Sequence, residues 1–595
     1  MTYAAPIAEM RFVLNEVAGI GAVALLPGYE VAEPELIGAI LGEAAKFAAT
    51  VLAPLNQPAD RVGSVLENGV VRTPAGFRQA YARHVEGGWN GLAADPEFGG
   101  QGLPLALAAP VAEMWDAACM SFALCPLLNM AAIELLQAYG SPGQKRLYLG
   151  RLVSGEWTGT MNLTEPQAGS DLGALTTRAT PACDPERGDH YRVTGQKIFI
   201  SYGDHDLAAN IVHAVLARTA GAPPGSRGLS LFLVPRFLPD NAGMPGARNA
   251  VRTLRLEQKL GIHASPTCVL AYEEAIGWRI GEEHRGLEYM FAMMNNARLN
   301  VGLQGVAIAE RAYQQARDFA SIRVQGRPLG AAADGSPLPI VHHPDVRRML
   351  LWMRAASEAM RALAYYTAAL LDRGRRDPDP AGRERHQRRA DLLIPVVKAW
   401  CTDLGVAVAS TGIQVHGGMG YIEETGAAQH LRDGRIAPIY EGTNGIQAND
   451  LVGRKLARDC GEAAVALLAE MRETAIDAAG SPTADLAAIG RLLAAAIAAV
   501  ETATAHLLRA EPAEAAAGSV PYLDLFGIAG GGWLMARQAL AADRLLGAGD
   551  GDPAFLRAKI ATARFYAEHF LALAPGHLPA ILGGAGVLSF DPDWF

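Results

Sequence analysis

The chain reads as an α+β protein built in blocks: an N-terminal helical domain, a β-rich middle domain, a helical bundle and a further C-terminal helical domain. Three observations predict this. Apolar residues recur at helix spacing from Pro34 to about Gly155, the period changes to two between Trp157 and about Gly286, and helix spacing then returns in long runs. With 595 residues, half of them hydrophobic, the chain holds enough apolar side chain for several packed domains.

In the first block, residues 1–156, Ile37, Ile40, Leu41 and Ala44 fall on one helix face, and Gly/Pro clusters such as "DPEFGGQGLP" separate successive helices. This third reads as all-α. In the second, residues 157–286, the pairs Tyr191/Val193, Lys197/Phe199/Ser201 and Leu229/Leu231/Leu233 alternate as strand faces do. In the third, residues 287–462, "HHPD" starts a helix whose stripe runs through Val346, Leu350, Met353, Ser357, Met360, Leu363, Thr367 and Leu370. The charge-dense stretch "DRGRRDPDPAGRERHQRR" reads as a solvated loop between helices. The fourth block, residues 463–595, is alanine-rich and amphipathic.

The net charge of −9 is spread without a basic stripe, which argues against nucleic acid or an anionic membrane as partner. Six cysteines stand without a C-x-x-C pair or a short histidine spacing, so neither a metal site nor a disulfide framework is signalled; they read as reduced core thiols. The N-terminal apolar pattern is broken by Glu9 and Glu16, and "LAAIGRLLAAAIAAVETATAHLL" by Arg491 and Glu501. Neither fits a secretory signal or a membrane span, and a cytoplasmic location is expected.

One short stretch carries an unusual carboxylate. In "IAPIYEGTNGIQANDLV", Glu441 follows Ile436, Ala437, Pro438, Ile439 and Tyr440 and precedes a Gly-Thr-Asn-Gly turn. Apolar neighbours exclude water, raise a carboxyl pKa and suit it to act as a base. Together with "MNLTEPQAGSD", "GQKIFIS", "SIRVQGR" and "GIQVHGGMGY", which precede it in that order over roughly residues 34 to 460, "YEGTNGIQ" resembles the acyl-CoA dehydrogenase family. The resemblance implies an N-terminal helical domain, a β-barrel-like middle domain and a four-helix bundle. It also implies FAD as cofactor, an acyl-CoA thioester as substrate, a homo-oligomer (dimer or tetramer), and an electron-transferring flavoprotein as electron acceptor.

Oxidising an unactivated carbon–carbon bond requires a base for the α-proton on one face of the acyl chain and an electron acceptor on the other. By resemblance Glu441 is that base; some relatives place it on the first long helix of the bundle, where this chain has Ala297. Leu163, Thr164, Gly169, Ser170, Phe199 and Ser201 match the flavin and pyrophosphate contacts, Phe199 standing where the family commonly has Trp. Arg323 matches an arginine that reaches the FAD of a neighbouring subunit; Gln414, Gly417 and Gly418 match its adenosine contacts. Thr443 and Asn444 match the last flavin contacts, and Ser170, Asn295 and Arg298 match positions along the CoA.

Gly445 departs from the family's usual Gln or Glu, and the chain runs about 130 residues past the usual end. Both features resemble a long bacterial branch whose substrates include 3-methylmercaptopropionyl-CoA as well as short and medium fatty acyl-CoAs. Two other readings stay open at this level: an acyl-CoA oxidase that uses oxygen, and an inactive binding or assembly member of the same fold.

Overall fold

The computed structural model describes residues 3–185, 187–330 and 336–594. Its helical first third contains helix α1 (Pro34–Phe47) and the 35-residue α2 (Leu105–Tyr139), whose φ/ψ turn non-helical at Cys119, so that two helices meet at a kink. This region is not entirely helical. Strands β1 (Val65–Glu67) and β2 (Val70–Arg72) form an antiparallel hairpin around Asn68 and Gly69, both at positive φ. Asn-Gly is the pair that a type I′ turn selects, a signal readable in "LENGV".

The middle region supplies β3 (Trp157–Asn162), β4 (Arg178–Asp184), β5 (Gly188–Ser201), β6 (Asn210–Arg218), β7 (Leu229–Pro235), β8 (Phe237–Pro239), β9 (Pro245–Arg248), β10 (Val251–Leu256) and β11 (Thr267–Ile280). Pairing runs β10-β11-β5-β4-β6-β3, and β7 bridges β11 and β6. The ring β11–β5–β4–β6–β7 therefore closes on itself, a small barrel with β10 and β3 attached. Every residue of β7 is buried, because the barrel covers one face and helices the other.

Three long helices follow: α3 (Gly286–Ile322), α4 (Pro344–Arg376) and α5 (Pro380–His416). All of the α4 stripe except the half-buried Val346 is fully buried. The α3–α5 contact is made by small residues: a Cβ on Gly305 would lie 2.2 Å from the Cys401 carbonyl oxygen, and one on Gly405 would lie 2.5 Å from that of Gly305. The charged stretch after Leu371 is mostly helix, not loop. α4 runs to Arg376, α5 starts at Pro380 under an Asp379 N-cap, and Asp372 is buried, accepting from Tyr29 Oη and the α2 amides of Leu105 and Ala106.

A short helix α6 (Asn444–Asp450) leads to the last block, where α7 (Glu462–Ala479), α8 (Ala484–Leu507), α9 (Ser519–Ala548) and α10 (Pro553–His569) are the main elements. This block lies on the bundle. Trp533 packs edge-on against Tyr366, and a Cβ on Gly527 would lie 2.3 Å from the Trp400 ring. Among the described residues, four helices are long and apolar enough to cross a membrane by length and composition; in α2 and in the segment that includes α5, 89% and 78% of that apolar window is buried inside the protein. Four cysteines are buried, whereas Cys183 and Cys460 are exposed and so are not the core thiols expected.

Candidate active site

Glu441 lies in the turn between the helix Ala427–Gly434 and α6, with φ of +59°; Gly442 follows at +83°. A non-glycine residue held in the left-handed region costs about 1–3 kcal/mol, so the surroundings must hold this turn. They do so through side chains. Gln447 Nε2 donates to the Glu441 carbonyl oxygen at 3.1 Å, and Thr443 caps α6 by accepting from the amide of Ile446. Lys398 Nζ, on α5, donates to the Gly442 carbonyl oxygen and to Asn444 Oδ1, both at 2.8 Å.

The wall in front of Glu441 is partial: Ala437 is buried, Ile436, Pro438 and Tyr440 are half-buried, and Ile439 is exposed. Desolvation nonetheless raises the Glu441 carboxyl above the ordinary glutamate range, while the cations of Arg298 and Lys398 pull it back. Tyr440 donates to Gln304 Oε1, and Gln304 Nε2 reaches the buried carboxylate of Asp116 at 3.4 Å, so the residue preceding Glu441 is anchored through α3 to α2.

Arg298 has a different setting from the one expected. A guanidinium lying along the CoA nucleotide needs solvent access. Arg298 is instead 4% exposed, 3.5 Å from Asp450 Oδ2, and coupled electrostatically to Glu441. Asn295, one turn earlier on the same face of α3, accepts from Arg298 Nη1 at 3.5 Å but is only half-buried and also lines a cleft of about 510 Å³ between α2, α3 and the α4–α5 corner. Ala297, at the alternative base position, is fully buried. Asn444 also differs: its amide is taken up by Lys398, the Ala399 carbonyl and Thr402 instead of being turned outward to a cofactor.

The other matched residues fall in two places. Leu163 and Thr164, half-buried, and Gly169 and Ser170, exposed, lie in the loop after β3; Phe199 and the half-buried Ser201 end β5 beside it. This loop is fastened from below. Lys197, fully buried, donates to the Leu163 carbonyl oxygen at 2.8 Å and to Glu165 Oε1 at 2.9 Å, and Glu165 also accepts from the amides and hydroxyls of Thr176 and Thr177. Burial works to raise the Glu165 carboxyl, but Lys197 and these donors hold it down at about 2. Phe199 departs from the alternation of β5: at φ of +60°, next to a shift in the β5–β11 register, its ring is 59% exposed.

Arg323, Gln414, Gly417 and Gly418, all exposed, sit at the far ends of α3 and α5, which lie side by side there with Phe319 stacked on His416 at 4.5 Å. Arg298 and Arg323 are 25 residues apart, roughly 37 Å along one helix.

These residues fit an FAD. An exposed Phe199 ring beside a loop that exposes Gly169 and Ser170 suits a planar ring system with a phosphate tail. Arg298 Nε and Gln447 Oε1, both buried beside the Glu441 turn, have no hydrogen-bond partner among the described residues. Phe199, Ser201 and the 163–170 loop would hold the ring and the near phosphate.

Lys398, Gln447 and the Tyr440–Gln304–Asp116 chain were not among the residues singled out from sequence. Lys398 had a signal: it is the one charge within "LLIPVVKAWC". Gln447 closes the motif "YEGTNGIQ" and Tyr440 stands in the apolar run before Glu441, whereas Gln304 and Asp116 had no signal.

Family models match the chain along its length: "Acyl-CoA dehydrogenase, N-terminal domain" over residues 37–156, "middle domain" over 160–275, "C-terminal domain" over 284–457, and "Acetyl-CoA dehydrogenase C-terminal like" over 467–589. The 3-methylmercaptopropionyl-CoA dehydrogenase of Ruegeria pomeroyi is 48% identical over 574 residues, 96% of either chain. A butyryl-CoA dehydrogenase of Syntrophomonas wolfei is 36% identical over 562 residues, covering 92% of this chain and 91% of its own. Among solved structures, an acyl-CoA dehydrogenase from Bacillus anthracis complexed with FAD superposes with a TM-score of 0.73 at 22% identity, over 98% of this chain and 93% of its own. With these four domain matches and relatives alike over nearly their whole length, the chain belongs to the acyl-CoA dehydrogenase family.

Proposed function

We propose that this FAD-dependent oxidoreductase converts a short acyl-CoA, 3-methylmercaptopropionyl-CoA or a short to medium fatty acyl-CoA, to its trans-2-enoyl-CoA. The observation that carries the reading is Glu441. Its carboxyl is desolvated in a strained turn, and it is the titratable side chain that the family pattern places at the base position. The 48% identity to a 3-methylmercaptopropionyl-CoA dehydrogenase supports the sulfur-containing substrate.

Glu441 takes the α-proton. Its raised pKa narrows the gap to the weakly acidic α-carbon and strengthens it as a base. Arg298 and Lys398 keep enough positive charge nearby for the carboxylate to exist in a desolvated site. The backbone amide of Glu441, fixed by the turn, is available to the thioester oxygen as negative charge builds there; one such donor is worth about 3 kcal/mol. When bound, FAD supplies the acceptor for the β-hydride and passes the electrons on to an electron-transferring flavoprotein.

The match of Arg323 to an arginine that serves a neighbouring subunit's FAD supports a homo-oligomer. Arg323 stands roughly 37 Å along α3 from Arg298, which neighbours Glu441, so it is remote from the Glu441 turn of its own chain and free to serve a neighbouring one. The test of the reaction is anaerobic titration of the purified protein with butanoyl-, octanoyl- and 3-methylmercaptopropionyl-CoA, followed by flavin absorbance. Bleaching by the sulfur-containing thioester at the lowest concentration is expected; bleaching by none of the three sinks the reading.

A further inference from the structure

Lys398 is a fully buried lysine in an otherwise apolar stretch of α5, and the reaction as described gives it no step of its own. Burying an ammonium is costly unless it is paired and hydrogen-bonded. Its two acceptors both belong to the catalytic turn: the Gly442 carbonyl oxygen and Asn444 Oδ1, each at 2.8 Å. Asn444 is locked in turn. Its Nδ2 donates to the Ala399 carbonyl oxygen at 3.1 Å and to Thr402 Oγ1 at 3.0 Å, and Thr402 Oγ1 donates to the Lys398 carbonyl oxygen at 2.7 Å.

One turn of α5 thus grips the backbone immediately after Glu441, at the point where two successive residues hold left-handed φ. The charges that face Lys398 are Glu441 from the turn, Asp403 from α5 itself and Arg298 from α3. Burial brings the ammonium down to about 7, with Glu441 as its strongest charge partner.

We infer that Lys398 is the positioning residue of the catalytic turn: it clamps Gly442 and Asn444 so that the Glu441 carboxylate stays aimed, and it supplies positive charge beside that carboxylate. The inference rests on Glu441 being the base. It adds that α5 holds the base's turn from outside, beside the local bonds of Gln447 and Thr443. Nothing is transferred to or from Lys398; it acts through Glu441.

The test uses the holoenzyme with Glu441→Gln, Lys398→Met and Lys398→Arg. Exchange of the α-protons of acetyl-CoA in D2O, read by NMR, reports proton abstraction alone, because that thioester has no β-carbon to oxidise. The pH dependence of kcat/KM with the preferred acyl-CoA is measured alongside, and thermal unfolding shows that each variant is folded. Lys398→Met is expected to slow exchange at least about tenfold and to move the acid limb of kcat/KM up by about one pH unit, since a lost cation raises the carboxyl pKa. Lys398→Arg, which keeps the charge but not the geometry, is expected to slow exchange while leaving the limb in place.

A folded Lys398→Met with exchange within about twofold of the parent and an unmoved limb overturns the inference. If Lys398→Met does not fold, Lys398→Arg decides alone: undiminished exchange overturns it, slowed exchange with an unmoved limb supports it. Failure of the underlying reading is distinguishable, because Glu441→Gln would then exchange as fast as the parent protein.

Discussion

Lys559 Nζ, in the C-terminal block, lies 2.6 Å from Glu358 Oε2 on α4, and both side chains are buried. Glu9, from the N-terminal segment, accepts from the same ammonium at 2.7 Å. Three distant parts of the chain therefore share one buried charge cluster, completed by Arg354 against Glu358. Breaking a buried pair by removing one partner costs about 3–5 kcal/mol, because the remaining charge is stranded. Lys559→Ala is expected to lower the unfolding free energy by about that amount in a denaturant titration, and a chain ending near Cys460 is expected to be insoluble. A soluble, active truncation would show that the C-terminal block is dispensable cover.

Glu441→Gln keeps size and hydrogen bonding but cannot accept the proton. Bound FAD and acyl-CoA affinity should persist while turnover falls by about 10²–10⁴-fold. Stopped-flow flavin reduction measures this, and a near-parental rate would remove Glu441 from the base position.

The pH dependence follows from the same residue. Only the carboxylate form of Glu441 can take a proton, and burial has raised its pKa above 4.5. The acid limb of kcat/KM should therefore fall at a pH above the ordinary glutamate value, with activity present above that pKa and lost below it. A limb at or below 4.5 would contradict the desolvated setting.

Arg323→Ala tests the contact between copies. The variant should purify with less flavin and sediment as a smaller species at low concentration. Full flavin occupancy with unchanged sedimentation would count against a role for this arginine in a neighbouring FAD site.

Glu165 gives an acid-stability prediction. Its folded pKa of about 2 lies below the unfolded value near 4.5, so its contribution is fully present above pH 4.5 and is lost as pH falls toward 2. The difference corresponds to about 3 kcal/mol. Glu165→Gln should lose that part of the acid dependence and release FAD more readily, since Glu165 and Lys197 fasten the loop carrying Thr164 and Ser170. Unchanged acid unfolding and flavin retention in this variant would remove the pair from both roles.

The sequence by itself determined the order of helical and strand regions, the α4 stripe and the position of Glu441, because each is written in local periodicity or in a contiguous motif. Tertiary structure alone decided which way side chains turn. Arg298 and Asn295 are neighbours on one face of α3, joined at 3.5 Å, yet Arg298 is sealed against Asp450 while Asn295 borders a cleft, because what packs over that face is decided by distant segments. Asn444 reads as a turn residue and becomes a lock because α5 runs close enough for Lys398 to reach it. The strain at Glu441 is only partly local: Gln447, six residues on, bonds the Glu441 carbonyl, but the grip of Lys398 on Gly442 comes from a residue that folding alone brings beside the turn.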